Sequence, residues 1–193
     1  GSPMQLILAG VFHIDVPTGN IPLADVQNLQ KDPRVATLIP LSLGDSFRGF
    51  RIVGTTVDYV THYEVKLANT EVKGVMFKLP LEAVIGADVA VNTGLTAGNS
   101  FIGSHGLGTE GHAHGNTPYQ VTGVLAPCSC VLDRLILTAT ESVWRVHEKA
   151  IEGDTPLDAE DKKAIEDDRE VTLALIRYKS PLAAVSFPRF VNT

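Results

Sequence analysis

The chain has 193 residues, of which 44% are hydrophobic, 20% charged and 6% aromatic. That excludes a disordered segment, a collagen-like repeat and a disulfide-stapled miniprotein, and it fits one domain or two small subdomains sharing a core. A net charge of −6, with no basic and aromatic patch, argues against nucleic acid as a partner, because phosphate binding needs a basic face.

The mean hydropathy of +0.11 is slightly apolar, yet no unbroken apolar run reaches the ~18 residues of a membrane span. No basic stretch precedes an apolar one as in a secretory signal. The charge is concentrated. Between Glu141 and Glu170 there are 11 acids and 5 bases, so that stretch carries −6 and the remainder is neutral. A solvated pair of helices accounts for such a run; the sharper reading is a docking face for a basic or metal-loaded partner.

In chain order, Ser2-Pro3 reads as an N-cap with proline at the first helical position, opening a helix over Met4 to Ile14, with a strand as the alternative. Pro17 and Gly19 mark a turn. Leu23 to Gln30 reads as a short helix, stopped at Asp32-Pro33. Val35 to Leu43 and Phe50 to Thr56 are β-rich and read as a hairpin turning at Gly44-Asp45. Val57 to Thr61 is ambiguous, and Val72 to Phe77 reads as strand. Ala83 to Ile85 is a short strand leading through Gly86 into a helix over Ala87 to Asn92, ended by Gly94. A strand begins at Asn99, and Ser104 to Asn116 is a glycine- and histidine-rich loop. Tyr119 to Ala126 and Leu132 to Ala139 are strands. Thr138-x-x-Glu141 reads as a capping box for a helix over Thr140 to Ile151. Thr155-Pro156-x-Asp158 caps an acidic helix, Val171 to Tyr178 is a strand, and Ser180-Pro181 caps a last helix. Strands and helices mix without strict alternation and without a repeat of fixed period, so the fold class is α+β.

One stretch carries a family resemblance. In residues 82–101 a short strand ends in Gly86, a helix follows, and Gly94-Leu-x-x-Gly98-Asn99 introduces a new strand. Tyr119-Gln-Val-Thr-Gly-Val-Leu-Ala-Pro127 and Leu132-Asp-Arg-Leu-Ile-Leu137 continue the pattern. Over Pro40 to Trp144 this order resembles the extracytoplasmic core domain of FtsX-like ABC transporter permeases, the group that includes MacB and the lipoprotein-release permeases.

The resemblance implies a two-lobed, non-enzymatic periplasmic domain of an inner-membrane protein. One lobe would take residues 1–60 and 170–193. The other would take 61–169, including an acidic helical projection over 140–169. It further implies that both ends of the chain continue into membrane helices outside this sequence. The partners would be a cognate cytoplasmic ABC ATPase acting through the membrane part, a second permease copy and a periplasmic binding protein. The domain would relay ATP-driven motion and bind cargo or a partner. The glycines have structural work first: Gly94 and Gly98 suit positive φ, and Gly123 marks a bulge or a close backbone approach.

Three of the six histidines fall within the loop Ser104 to Asn116. His112 and His114 alternate, so an extended backbone puts both rings on one side. Glycines at 106, 108 and 111 let His105 fold back. With Glu110, these three imidazoles suit Zn²⁺, and they would also take Cu²⁺ or Ni²⁺. A pliable solvent loop that tolerates histidine is the plainer account. A metal-binding or cargo-binding module standing alone is the second functional reading of the chain.

Cys128-Ser-Cys130 is the only cysteine pair. In an oxidising compartment a disulfide can form, although a one-residue spacer strains the ring. Two free thiols or two soft metal ligands are the alternatives; zinc fingers use longer spacers. Leu43-Gly-Asp-Ser46 resembles the Gly-Asp-Ser of some esterases, but the Asp-x-x-His that those enzymes carry near the C-terminus is missing. Neither a phosphate-binding Gly-x-x-x-x-Gly-Lys-Ser/Thr nor a His-Glu-x-x-His is present. Trp144, on a helix with Val143, His147 and Ile151, reads as part of a core-facing stripe, with His147 a helix-surface or satisfied core residue.

Overall fold

The computed structural model describes residues 2–15, 19–105, 117–152 and 158–191. The chain runs through α1 (Pro3–Gly10), β1 (Ile21–Pro22), α2 (Leu23–Gln30), β2 (Val35–Phe47), β3 (Phe50–Thr55), α3 (Val57–His62), β4 (Glu82–Ile85) and α4 (Ala87–Thr93). It continues through β5 (Ser100–Phe101), β6 (Ser104–His105), β7 (Tyr119–Val124), a 3-10 turn (Val131–Arg134), β8 (Leu135–Ala139) and α5 (Thr140–Glu152). The last elements are α6 (Ala159–Asp167), β9 (Glu170–Val171), β10 (Leu173–Tyr178) and α7 (Pro181–Val191). Helices and a mixed sheet give the α+β class expected from the sequence.

The main sheet has the order β10-β2-β3-β8-β4-β7-β5. β3 with β8 and β4 with β7 are parallel pairs; the other neighbours are antiparallel. Both faces are covered, which explains the nearly continuous apolar runs of the inner strands. Side chains alternate across the sheet. Leu135, Leu137, Val53 and Val84 enter one core with Tyr59, Val60 and Leu132. Ile136, Ile52, Ala83 and Ile85 enter the opposite core with Val89, Phe101 and Val146. A third cluster joins Val26, Val35, Leu38, Val171 and Phe187.

The helix ends follow their sequence signals. Ser2 and Gln5 form a reciprocal capping box on α1, which stops at Gly10 rather than at Ile14. Asp158 accepts from the backbone N–H groups of Glu160 and Asp161 at the start of α6. Gly94 closes α4 with φ 74°, and Gly98 sits at φ 96°. Gly123 fills both of its expected roles. The β4–β7 register shifts beside it, and a Cβ there would meet Leu67 Cδ2 at 2.8 Å and the Val75 carbonyl at 3.0 Å.

Three further local expectations are corrected, and the ambiguous stretch is resolved. The hairpin does not turn at Gly44-Asp45. β2 runs on to Phe47 and turns at Arg48-Gly49, whose φ values of 49° and 80° match the two-residue turn favoured by strand twist. Residues 72–77 form no strand and instead lie along β7, where the Val75 N–H donates to the Thr122 carbonyl at 2.9 Å. Residues 57–62 are helical. Thr138 does not cap α5: it stays inside β8, donating to the Glu82 carbonyl at 2.6 Å and lying 2.7 Å from Ser142 Oγ.

Candidate functional site

The expected metal-ligating residues Glu110, His112 and His114 lie outside the described residues. His105 is placed by its backbone. β6 pairs antiparallel with the last part of β2, setting His105 opposite Asp45 and Ser104 opposite Ser46. β2 can host β6 because it changes neighbours along its length. Val35 to Leu41 pair with β10, the register then shifts between Ser42 and Asp45, and β6 occupies the vacated edge. Gly44, at φ 151°, accommodates that irregularity.

Four polar side chains that the sequence did not mark together as a site, Asp45, His147, Tyr119 and Ser104, lie around the root of the histidine segment. The Asp45 side chain is 1% exposed, and its Oδ2 lies 3.8 Å from His147 Nε2 on α5. Tyr119, fully buried at the start of β7, has its hydroxyl pushed well above the ordinary tyrosine range, first by burial and then by the Asp45 charge. The Ser104 hydroxyl donates to the Ser46 carbonyl at 3.4 Å. Asp45 and His147 are 102 positions apart, so no local spacing announces them. The one available signal was an acid inside a long β-rich run, and it looked like a turn.

His147 also lines a groove of about 450 Å³ with Trp144, Glu148, Arg169 and Glu170. α5 supplies one wall. The junction of α6 with β9 supplies the other, and Ser42 and Leu43 of β2 lie between them. The Trp144 indole N–H donates to the Glu170 carbonyl at 2.8 Å, and the Arg169 guanidinium lies 5.0 Å from the centre of the Trp144 ring. Arg169 is held by Glu148 through bonds of 2.9 and 3.3 Å. These contacts tie α5 to the α6–β9 junction.

Cys128 and Cys130 are joined as a disulfide after β7, with Ser129 between them at φ 53°. The Cys128 N–H donates to Asp133 Oδ1 at 2.9 Å. Both cysteines pack against the Leu132-containing core.

No protein-family model and no curated protein matches the sequence. Among solved structures, the chain is similar to the extracellular domain of the noncanonic ABC-type transporter YknZ from Gram-positive bacteria. The TM-score is 0.52 at 12% identity, with 96% of this chain and 83% of that chain covered. The chain has the fold of that YknZ domain. It is also similar to the periplasmic region of MacB from Actinobacillus actinomycetemcomitans, with a TM-score of 0.47 at 12% identity, covering 92% of this chain and 85% of that one.

Proposed function

We propose that this chain is the extracytoplasmic domain of an FtsX-like or MacB-like ABC transporter permease. It acts as a relay and recognition module, not as an enzyme. The observation that carries the reading is the shared fold with the YknZ extracellular domain. A second feature supports it. α1 and the turn after it expose Met4, Leu6, Ile7, Phe12 and Ile14, while α7 exposes Leu182 and Val185. Both helices pack on β10, and an exposed apolar surface at each terminal helix suits a domain held close to a bilayer. Among the described residues no helix is long and apolar enough to cross a membrane.

On this reading a separate cytoplasmic ATPase drives the membrane part, two permease copies work together, and the domain meets cargo or a periplasmic partner. The two-lobe division belongs to the same proposal. The core cluster of Val26, Val35, Leu38, Val171 and Phe187 supports it, being drawn from the two ends of the chain. Transition-metal binding by His105, Glu110, His112 and His114 also belongs to it, favoured by the placement of His105 opposite buried Asp45. Sequencing the parent gene tests the main reading. Apolar segments of ~20 residues should flank the chain on both sides; a reading frame without them overturns it.

A further inference from the structure

The acidic run over residues 141–170 and the groove beside it meet at one place. We propose that the groove between α5, β2 and the α6–β9 junction binds a small organic cation with an apolar body. Its volume of about 450 Å³ lies within the ~300–1,000 Å³ usual for small-molecule sites. Its lining includes the apolar side chains of Leu43, Val143, Trp144 and Ile165 beside the polar Asn20, Ser42, His147 and Thr172. The apolar part of that lining accepts a hydrocarbon or aromatic body.

The rim sets the sign of the charge. Glu148, Asp168 and Glu170 share it with the Arg169 guanidinium and the His147 imidazole, and the guanidinium is already held by Glu148. Glu170 accepts from the neutral Asn20 amide at 2.8 Å, so its charge is not cancelled. Two carboxylates are thus left for a ligand. α6 adds more acid beyond the rim, and its field favours cations on approach. The Arg169 guanidinium over Trp144 shows that the indole face suits a cation.

A second, independent observation falls on a lining residue of the same groove. Ser42 is 4% exposed, and its hydroxyl, enclosed by its neighbours, has no hydrogen-bond partner among the described residues. An orphaned buried hydroxyl is costly, and a polar group on the ligand would satisfy it by displacing the side chains that cover it. The ligand therefore carries its positive charge at the rim and its apolar part inside. None of this depends on the permease reading.

Trp144 is the only tryptophan, so its indole N–H gives one cross-peak in a proton–nitrogen NMR spectrum, and that peak reports on the groove. The probes are tyramine and 3-(4-hydroxyphenyl)propionate, which share a hydroxyphenyl body and differ in the sign of the head group. Tyramine should shift the Trp144 peak saturably, and the propionate should bind at least about tenfold more weakly. The double variant Asp168→Asn, Glu170→Gln should weaken tyramine by a similar factor. The control Glu160→Gln, Asp161→Asn, on α6 away from the groove, should leave it unchanged. A groove that ignores tyramine, binds both probes alike, or loses tyramine equally in both double variants overturns the proposal.

Discussion

His13 shows how one buried side chain sets an acid response. It follows α1, is 8% exposed, and its Nε2 lies 2.8 Å from the Tyr59 hydroxyl. Burial first, and the nearby Arg51 charge second, lower its pKa from 6.5 to about 4. The folded state therefore holds a neutral imidazole across a range where the unfolded chain is protonated. Stability is complete above the unfolded value and is lost as pH falls from about 6.5 towards 4, by at most ~1.4 kcal/mol per pH unit. Urea melts at pH 7 and 4.5 should show this loss, and His13→Gln should flatten it. Asp32 responds lower on the scale. Its hydrogen bond from the Arg34 side chain lowers its pKa to about 2, so its contribution is present above the usual carboxylate range and is lost below it.

At the scale of elements, several glycines and caps were legible from their steric demands, though the expected Thr138 cap was not borne out. Gly86 ends β4 where a Cβ would collide with the carbonyls of Leu132 and Asp133. Gly94 takes the left-handed position that stops α4. The hairpin turn was not legible, since Gly44-Asp45 has turn chemistry while Arg48 at positive φ does not. What decided the matter is long-range. Asp45 and Ser46 are held in strand by β3 on one side and β6 on the other. The same pairing makes the histidine segment testable. Zinc titrated into the protein should bind, and changing His112 and His114 together to Ala should weaken binding by at least about tenfold. Unchanged affinity removes the segment as a metal site.

At the scale of the whole molecule, the fold class and most inner strands were readable from apolar runs and their punctuation. The order of the strands was not. The two parallel pairs of the main sheet, β3 with β8 and β4 with β7, join segments far apart in sequence. The candidate groove was also hidden, because it exists only where β2, α5 and β9 meet. The proposed compartment bears on the whole molecule too. On that reading the domain meets oxidising conditions, and Cys128 and Cys130 are positioned to pair. Protein isolated without reductant should therefore titrate no thiol, and reduction should release both; free thiols in the unreduced protein would contradict the pairing.

β2 draws these scales together. β10 lies along its first half and β6 along its last residues, on the same edge. The terminal helices α1 and α7 rest on β10, while the histidine segment is attached through β6. Two regions remote in sequence thus hang from one beam. A load taken up at the terminal helices would reach the root of the histidine segment through a single covalent strand, interrupted on the way by register shifts at Ala36 and at Leu43-Gly44.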